Sequence, residues 1–84
     1  MRKVVEKVVK LLEEVINDRT VPRNIREAVR RAKECLMEEG KDLAVRADEA
    51  IQILEEVSSD LNLPIYTRTQ IWNAISMLEE AQNI

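Results

Sequence analysis

The fold class this sequence predicts is all-α, a bundle of four antiparallel helices, and three observations predict it. Apolar residues recur at helical spacing in four blocks. The helix breakers are few, one Gly and two Pro, and they fall between those blocks. The chain also carries an internal repeat at a constant offset of 42 residues. Leu12-Glu13-Glu14-Val15, Asp18, Pro22, Arg26, Ala32, Leu36 and Glu38 return as Leu54-Glu55-Glu56-Val57, Asp60, Pro64, Arg68, Ala74, Leu78 and Glu80. Ten of the 27 positions from Leu12 to Glu38 are identical, against roughly two expected by chance. A repeat of this length points to one helical hairpin used twice, over residues 2–39 and 42–81. Two such hairpins bury their apolar stripes by facing each other, which favours a closed bundle in one domain, 1–84, over an open solenoid.

The first helix is expected over residues 2–17. Val4, Val5, Val8, Val9, Leu11, Leu12, Val15 and Ile16 form its stripe, with Glu6, Lys7, Lys10, Glu13 and Glu14 between them. Valines are poor helix formers, so packing must outweigh propensity there. Asn17-Asp18-Arg19-Thr20 breaks the pattern, and Pro22 suits the opening of a second helix over 22–39. Its stripe is Ile25, Ala28, Val29, Ala32 and Leu36; Asn24 with Glu27 also matches a capping box, which shifts the start by two residues. Gly40 stands where a left-handed cap is wanted, and Asp42 can cap a third helix over 42–59. That helix turns in Leu43, Ala47, Ala50, Ile51, Leu54 and Val57. Pro64 opens the fourth, over 64–81, with Ile71, Ala74, Ile75, Leu78 and Ala81 facing in.

With Trp72 and Tyr66 the only aromatics, the core must be aliphatic. Net charge is −3 but uneven: residues 1–42 carry 11 basic against 9 acidic side chains, and residues 43–84 carry 2 against 7. Halves of net +2 and −5 suit a basic interaction face or a self-associating protein. The charge-rich, glycine-poor composition suits a heat-adapted source. A lone cysteine, Cys35, gives no internal disulfide. The opening Met1-Arg2-Lys3 leads into an apolar run interrupted by charges, without a signal-peptide pattern, and no stretch reaches membrane-spanning length. A cytoplasmic protein with no membrane partner is therefore expected.

Three segments resemble a known family: Thr20-Val21-Pro22-Arg23-Asn24, Ile53-Leu54-Glu55-Glu56 and Arg68-Thr69-Gln70-Ile71-Trp72. The whole chain is similar to the uncharacterised archaeal family number 0147 of the UPF series, short all-helical proteins. The resemblance implies a helical bundle with no assigned activity, and it brings no catalytic or ligand residues.

The residues themselves offer little chemistry. Without histidine there is no ordinary general base, no imidazole metal ligand and no Ser-His or Cys-His nucleophile. Cys35, aligned with Met77, reads as a small buried hydrophobe. Glutamates occur in adjacent pairs that point about 100° apart on a helix and do not converge on one ion. Glu14 and Glu56 are the pair a symmetric bundle could bring together, yet di-iron carboxylate bundles also use Glu-x-x-His. No cofactor and no metal are expected, and no enzyme. Asp18 and Asp60 are expected to cap or pair across each turn with Arg26 and Arg68.

Two surfaces remain. Arg23, Arg26, Arg30 and Lys33 fall on one face of the second helix, with an ion pair from Glu27 to Arg31 expected beside them. Such a stripe suits an acidic partner or a phosphate backbone, although the pI of about 5.0 argues against nucleic acid. Trp72 aligns with Arg30, so it reads either as core filler or as an interface anchor on which Arg68 stacks. The function expected is a small non-enzymatic interaction or structural module, a homodimer with Trp72 near the contact. A further, unidentified protein partner is left open. The runner-up is a nucleic-acid-binding accessory protein using the basic face.

Overall fold

The computed structural model describes residues 1–82. It contains α1 (Arg2–Ile16), α2 (Arg23–Met37), α3 (Leu43–Ser58) and α4 (Ile65–Gln82), with no strand among the described residues. Each helix packs on two neighbours, α1 on α2 and α4, and α3 on α2 and α4, closing an all-α ring of four. The most extensive contact joins α2 to α3, across the Glu38–Asp42 link. Three of the four buried alanines, Ala32, Ala47 and Ala50, lie on these two helices. Small side chains there let the backbones approach closely.

The expected stripes are the core. Val8, Leu12, Val15, Val29, Ala32, Leu36, Ala47, Ala50, Leu54, Ile71, Ala74 and Leu78 are sealed from solvent, and among the described residues every buried apolar side chain is Val, Leu, Ile or Ala. Ala28, Leu43 and Ala81 are half-buried at the margins. Val21 and Leu63 plug the core from the two Pro-containing turns. Among the described residues three polar side chains are buried that apolar periodicity does not reveal: Ser58, Thr67 and Gln70. Ser58 Oγ donates to Glu55 O at 2.7 Å, and Gln70 Nε2 reaches Glu14 Oε2 at 3.4 Å.

Helix ends depart from expectation by one or two residues, and each departure has a cause. Pro22 is the residue before α2 rather than its first: its backbone is extended (φ −55°, ψ 146°) while its carbonyl accepts the Arg26 N–H at 3.0 Å. The capping-box alternative at Asn24 is therefore not used. Pro64 does the same for Arg68, at 2.9 Å. Asp42 occupies the position before α3, but its carboxylate makes no capping bond; its carbonyl takes the Arg46 N–H at 3.0 Å. α2 ends at Met37 because Glu38 is extended (φ −72°, ψ 108°). Gly40 has φ +95° as a left-handed glycine should, but two residues beyond that cap, in the link itself. Lys41 then ties the link to α3 through Glu49, 3.1 Å away.

Candidate interaction surface

Antiparallel order places both Pro-containing turns at one end of the bundle. They are built alike. Asp18 Oδ1 accepts from the Thr20 backbone N–H (2.9 Å) and hydroxyl (2.6 Å), and Asp60 Oδ1 accepts from the Asn62 N–H (2.8 Å). In each turn the aspartate carbonyl takes the N–H three residues on, from Val21 or Leu63, at 3.2 Å. The Thr20 hydroxyl and N–H, aided by the nearby Arg26 guanidinium, hold the Asp18 carboxyl below the usual aspartate range.

The expected Asp–Arg pairs are corrected. Among the described residues neither aspartate makes a salt bridge to its arginine. Arg68 reaches back to the end of α3, where Nε donates to Ser58 O (3.2 Å) and Nη2 to Asp60 O (2.9 Å). Those carbonyls lie at a helix C-terminus, where a cation is favoured. The guanidinium is thus engaged at the C-terminal end of α3. Arg26, its counterpart at the 42-residue offset, is half-buried with Nε shielded and without a protein partner.

The basic face of α2 is less free than its spacing suggests. Arg30 Nη1 binds Glu27 Oε1 at 2.7 Å, so Glu27 pairs with Arg30 and not with Arg31. Lys33 Nζ crosses to Glu13 Oε2 on α1 at 3.3 Å. With Arg26 drawn inward, Arg23 remains outward, alongside Arg19 and Arg31.

The other surface is larger than Trp72 alone. Leu61 is 94% exposed, Ile65 81%, Tyr66 70% and Trp72 49%, so the indole is not core filler. All four lie on the second turn and the outer face of α4. Between Asp60 and Glu79 the only charged residue is Arg68, which is occupied elsewhere. At the 42-residue offset these four align with Arg19, Arg23, Asn24 and Arg30, all exposed as well. Equivalent outward positions are therefore basic or polar on the first hairpin and apolar on the second. Sequence periodicity flagged only Trp72. The signal for Leu61, Ile65 and Tyr66 was that same exchange of basic or polar for apolar, at positions off the α4 stripe.

Comparison with known proteins places the chain. The model of an uncharacterised protein family, UPF0147, matches residues 1–81. The chain belongs to this family. It is 49% identical over 79 residues to the UPF0147 protein of Methanocaldococcus jannaschii, covering 94% of this chain and 85% of that one. It is 47% identical over 83 residues to that of Thermococcus kodakarensis, covering 98% and 100%. A crystal structure of a UPF0147 protein from Thermoplasma acidophilum superposes with a TM-score of 0.89 at 33% identity, over 94% of this chain and 93% of that one. Another crystal structure, of a protein of unknown function, gives 0.88 at 49% identity, over 90% and 86%.

In this UPF0147 chain the remaining chemical candidates stay apart. Among the described residues no three His, Cys, Asp or Glu side chains gather as a metal site. Glu14 is exposed and its carboxylate takes the Gln70 amide; Glu56 is exposed on α3, and α1 and α3 are not packed neighbours in the ring. Cys35 is half-buried against the core, and burial, reinforced by Glu49 and Glu38, pushes its thiol up, away from a reactive thiolate. An open groove of about 440 Å³ runs beside the start of α1, at the end opposite the Pro-containing turns. Its floor is Val5, Val9, Leu36, Met37 and Leu43, and its rim mixes Arg2, Lys10 and Arg46 with Glu6, Glu13 and Glu39. Among the described residues no helix is long and apolar enough to cross a membrane.

Proposed function

We propose that this protein is a small non-enzymatic interaction module that self-associates through the outer face of α4. The observation that carries the reading is the run of Leu61, Ile65, Tyr66 and Trp72, exposed together on a surface whose one charge is turned away. Scaling typical side-chain areas by their exposure, these four present on the order of 400 Å² of apolar surface. That is within the range of the largest apolar patch on a typical monomer, a patch that is often functional. A standard interface needs about 800 Å² per partner, a little over half of it apolar, and the patch supplies most of that apolar share. The non-enzymatic part rests on the absence of histidine from the sequence and on the dispersal of the carboxylates and the thiol.

The nucleic-acid alternative has less support, because Glu27 and Glu13 neutralise Arg30 and Lys33, two of the four residues of the basic stripe, and a third, Arg26, is half-buried. A filter-binding titration separates the two readings: retention of RNA or DNA that falls steeply with salt belongs to a phosphate binder. Light scattering at micromolar concentration tests the proposal itself. A dimer is expected, and Trp72→Arg, which installs the residue found at the aligned position 30, is expected to dissociate it. A stable 9.7 kDa monomer, or a dimer indifferent to Trp72→Arg, overturns it.

A further inference from the structure

We infer that two copies pair through α4 in antiparallel register, with Thr69 on the two-fold axis and Trp72 of each copy seated against Ile65 and Tyr66 of the partner subunit. This rests on the self-association just proposed and specifies its geometry. The exposed positions of α4 are Ile65, Tyr66, Thr69, Trp72, Asn73 and Ser76, followed by Glu79 and Glu80. At about 100° per residue, Thr69 and Ser76 run down the middle of this face. Ile65 and Trp72 form one edge, and Tyr66 and Asn73 the other. On the helix itself the apolar patch extends from Ile65 to Trp72, so its midpoint lies between positions 68 and 69, where exposed Thr69 offers a small side chain.

A two-fold axis perpendicular to the helix reverses its direction but keeps each edge facing its own copy. Centred on Thr69, it brings position 72 level with position 66 of the other chain. Trp72 then lies across from Ile65 of the partner subunit on the shared edge and in the same layer as Tyr66 of the partner subunit. The contact buries all three large side chains twice over. Charge selects this direction. Glu79 and Glu80 end the neutral stretch of α4. Parallel pairing sets the two carboxylate pairs side by side. In the antiparallel register Glu79 is twenty residue steps from its own copy, about 30 Å along the axis, several Debye lengths at physiological salt. The helix dipoles also run in opposite directions.

The register has a covalent test. Packed helices lie about 8–10 Å apart and carry their Cα atoms about 2.3 Å off axis, so a residue on the two-fold sits roughly 4–5 Å from its own copy. That is disulfide range. Ser76 lies fourteen steps from its copy, about 21 Å, which no disulfide spans. With Cys35→Ser as background, Thr69→Cys and Ser76→Cys are oxidised mildly, resolved on non-reducing gels, and measured by light scattering before oxidation. The expected result is near-complete covalent dimer for Thr69→Cys and none for Ser76→Cys. Equal cross-linking of both means parallel pairing and overturns the register. A scattering dimer in which Thr69→Cys does not cross-link overturns the register and leaves self-association standing. A monomer overturns both.

Discussion

Replacing Arg68 by methionine, which keeps the aliphatic stem and removes the guanidinium, isolates the link between the end of α3 and the start of α4. The side chain makes two hydrogen bonds, to Ser58 O at 3.2 Å and Asp60 O at 2.9 Å. Bonds from a charged donor contribute about 1.5–3 kcal/mol each where water is excluded. Arg68 is only half-buried, and the first bond is long, so the lower bound is appropriate for one and a fraction of it for the other. A cation at a helix C-terminus adds about 0.3–1 kcal/mol. The expected loss is about 2–3 kcal/mol. For a domain of this size that lowers Tm by roughly 10–20 °C. Arg26→Met serves as the control, because Arg26 stands at the aligned position with Nε unpartnered, and its loss should be less than half as large. Both are measured by urea unfolding followed by circular dichroism, at one protein concentration so that association contributes equally. Equal losses for the two variants, or a loss below about 0.5 kcal/mol for Arg68→Met, refute the reasoning from hydrogen bonds.

Three other outcomes follow from local geometry. Because Asp18 titrates lower in the folded protein than its unfolded value of about 3.9, the stability it supplies is complete above that pH and lost as pH falls through the folded value; thermal melts from pH 5 to pH 2 should fall more steeply for wild type than for Thr20→Ala, which removes the hydroxyl donor. Gly40→Ala places a methyl group in open space but at φ +95°, so it should cost about 1 kcal/mol in chemical denaturation through backbone strain alone. The raised thiol pKa of Cys35 predicts alkylation by iodoacetamide slower than that of an exposed cysteine at pH 8, accelerating in urea to the rate of a free thiol.

The helices and the core stripe were legible because periodicity reports a face directly, and all nine buried positions on α1 and α2 belong to the expected stripes. On α4 the same reasoning met two patterns. Ile65, Tyr66 and Trp72 are apolar yet outward, while Thr67 and Gln70 are polar yet inward, so composition and burial run opposite over its first two turns. Periodicity counts apolar residues and cannot tell a face covered by the chain from one left open. The choice of Arg30 over Arg31 by Glu27 was beyond reach for a different reason. Positions i+3 and i+4 are almost equally near, and the rotamers of three long side chains decide between them. Arg68 went to carbonyls because helix termini leave acceptors that a residue-by-residue pairing of charges does not count.

The aliphatic core has an optical consequence. A protein without phenylalanine, with its one tyrosine at the surface and its one tryptophan half in water, keeps no aromatic side chain in its interior. The usual fluorescent signal of unfolding is an indole leaving an apolar interior for solvent. Here that passage is half completed before the chain unfolds, so emission should move little across the melting transition. The same indole sits on the surface argued to meet another molecule, so drying it by contact should shift emission to shorter wavelength and change its intensity. In this chain tryptophan fluorescence is a poor thermometer of folding and a direct reporter of encounter.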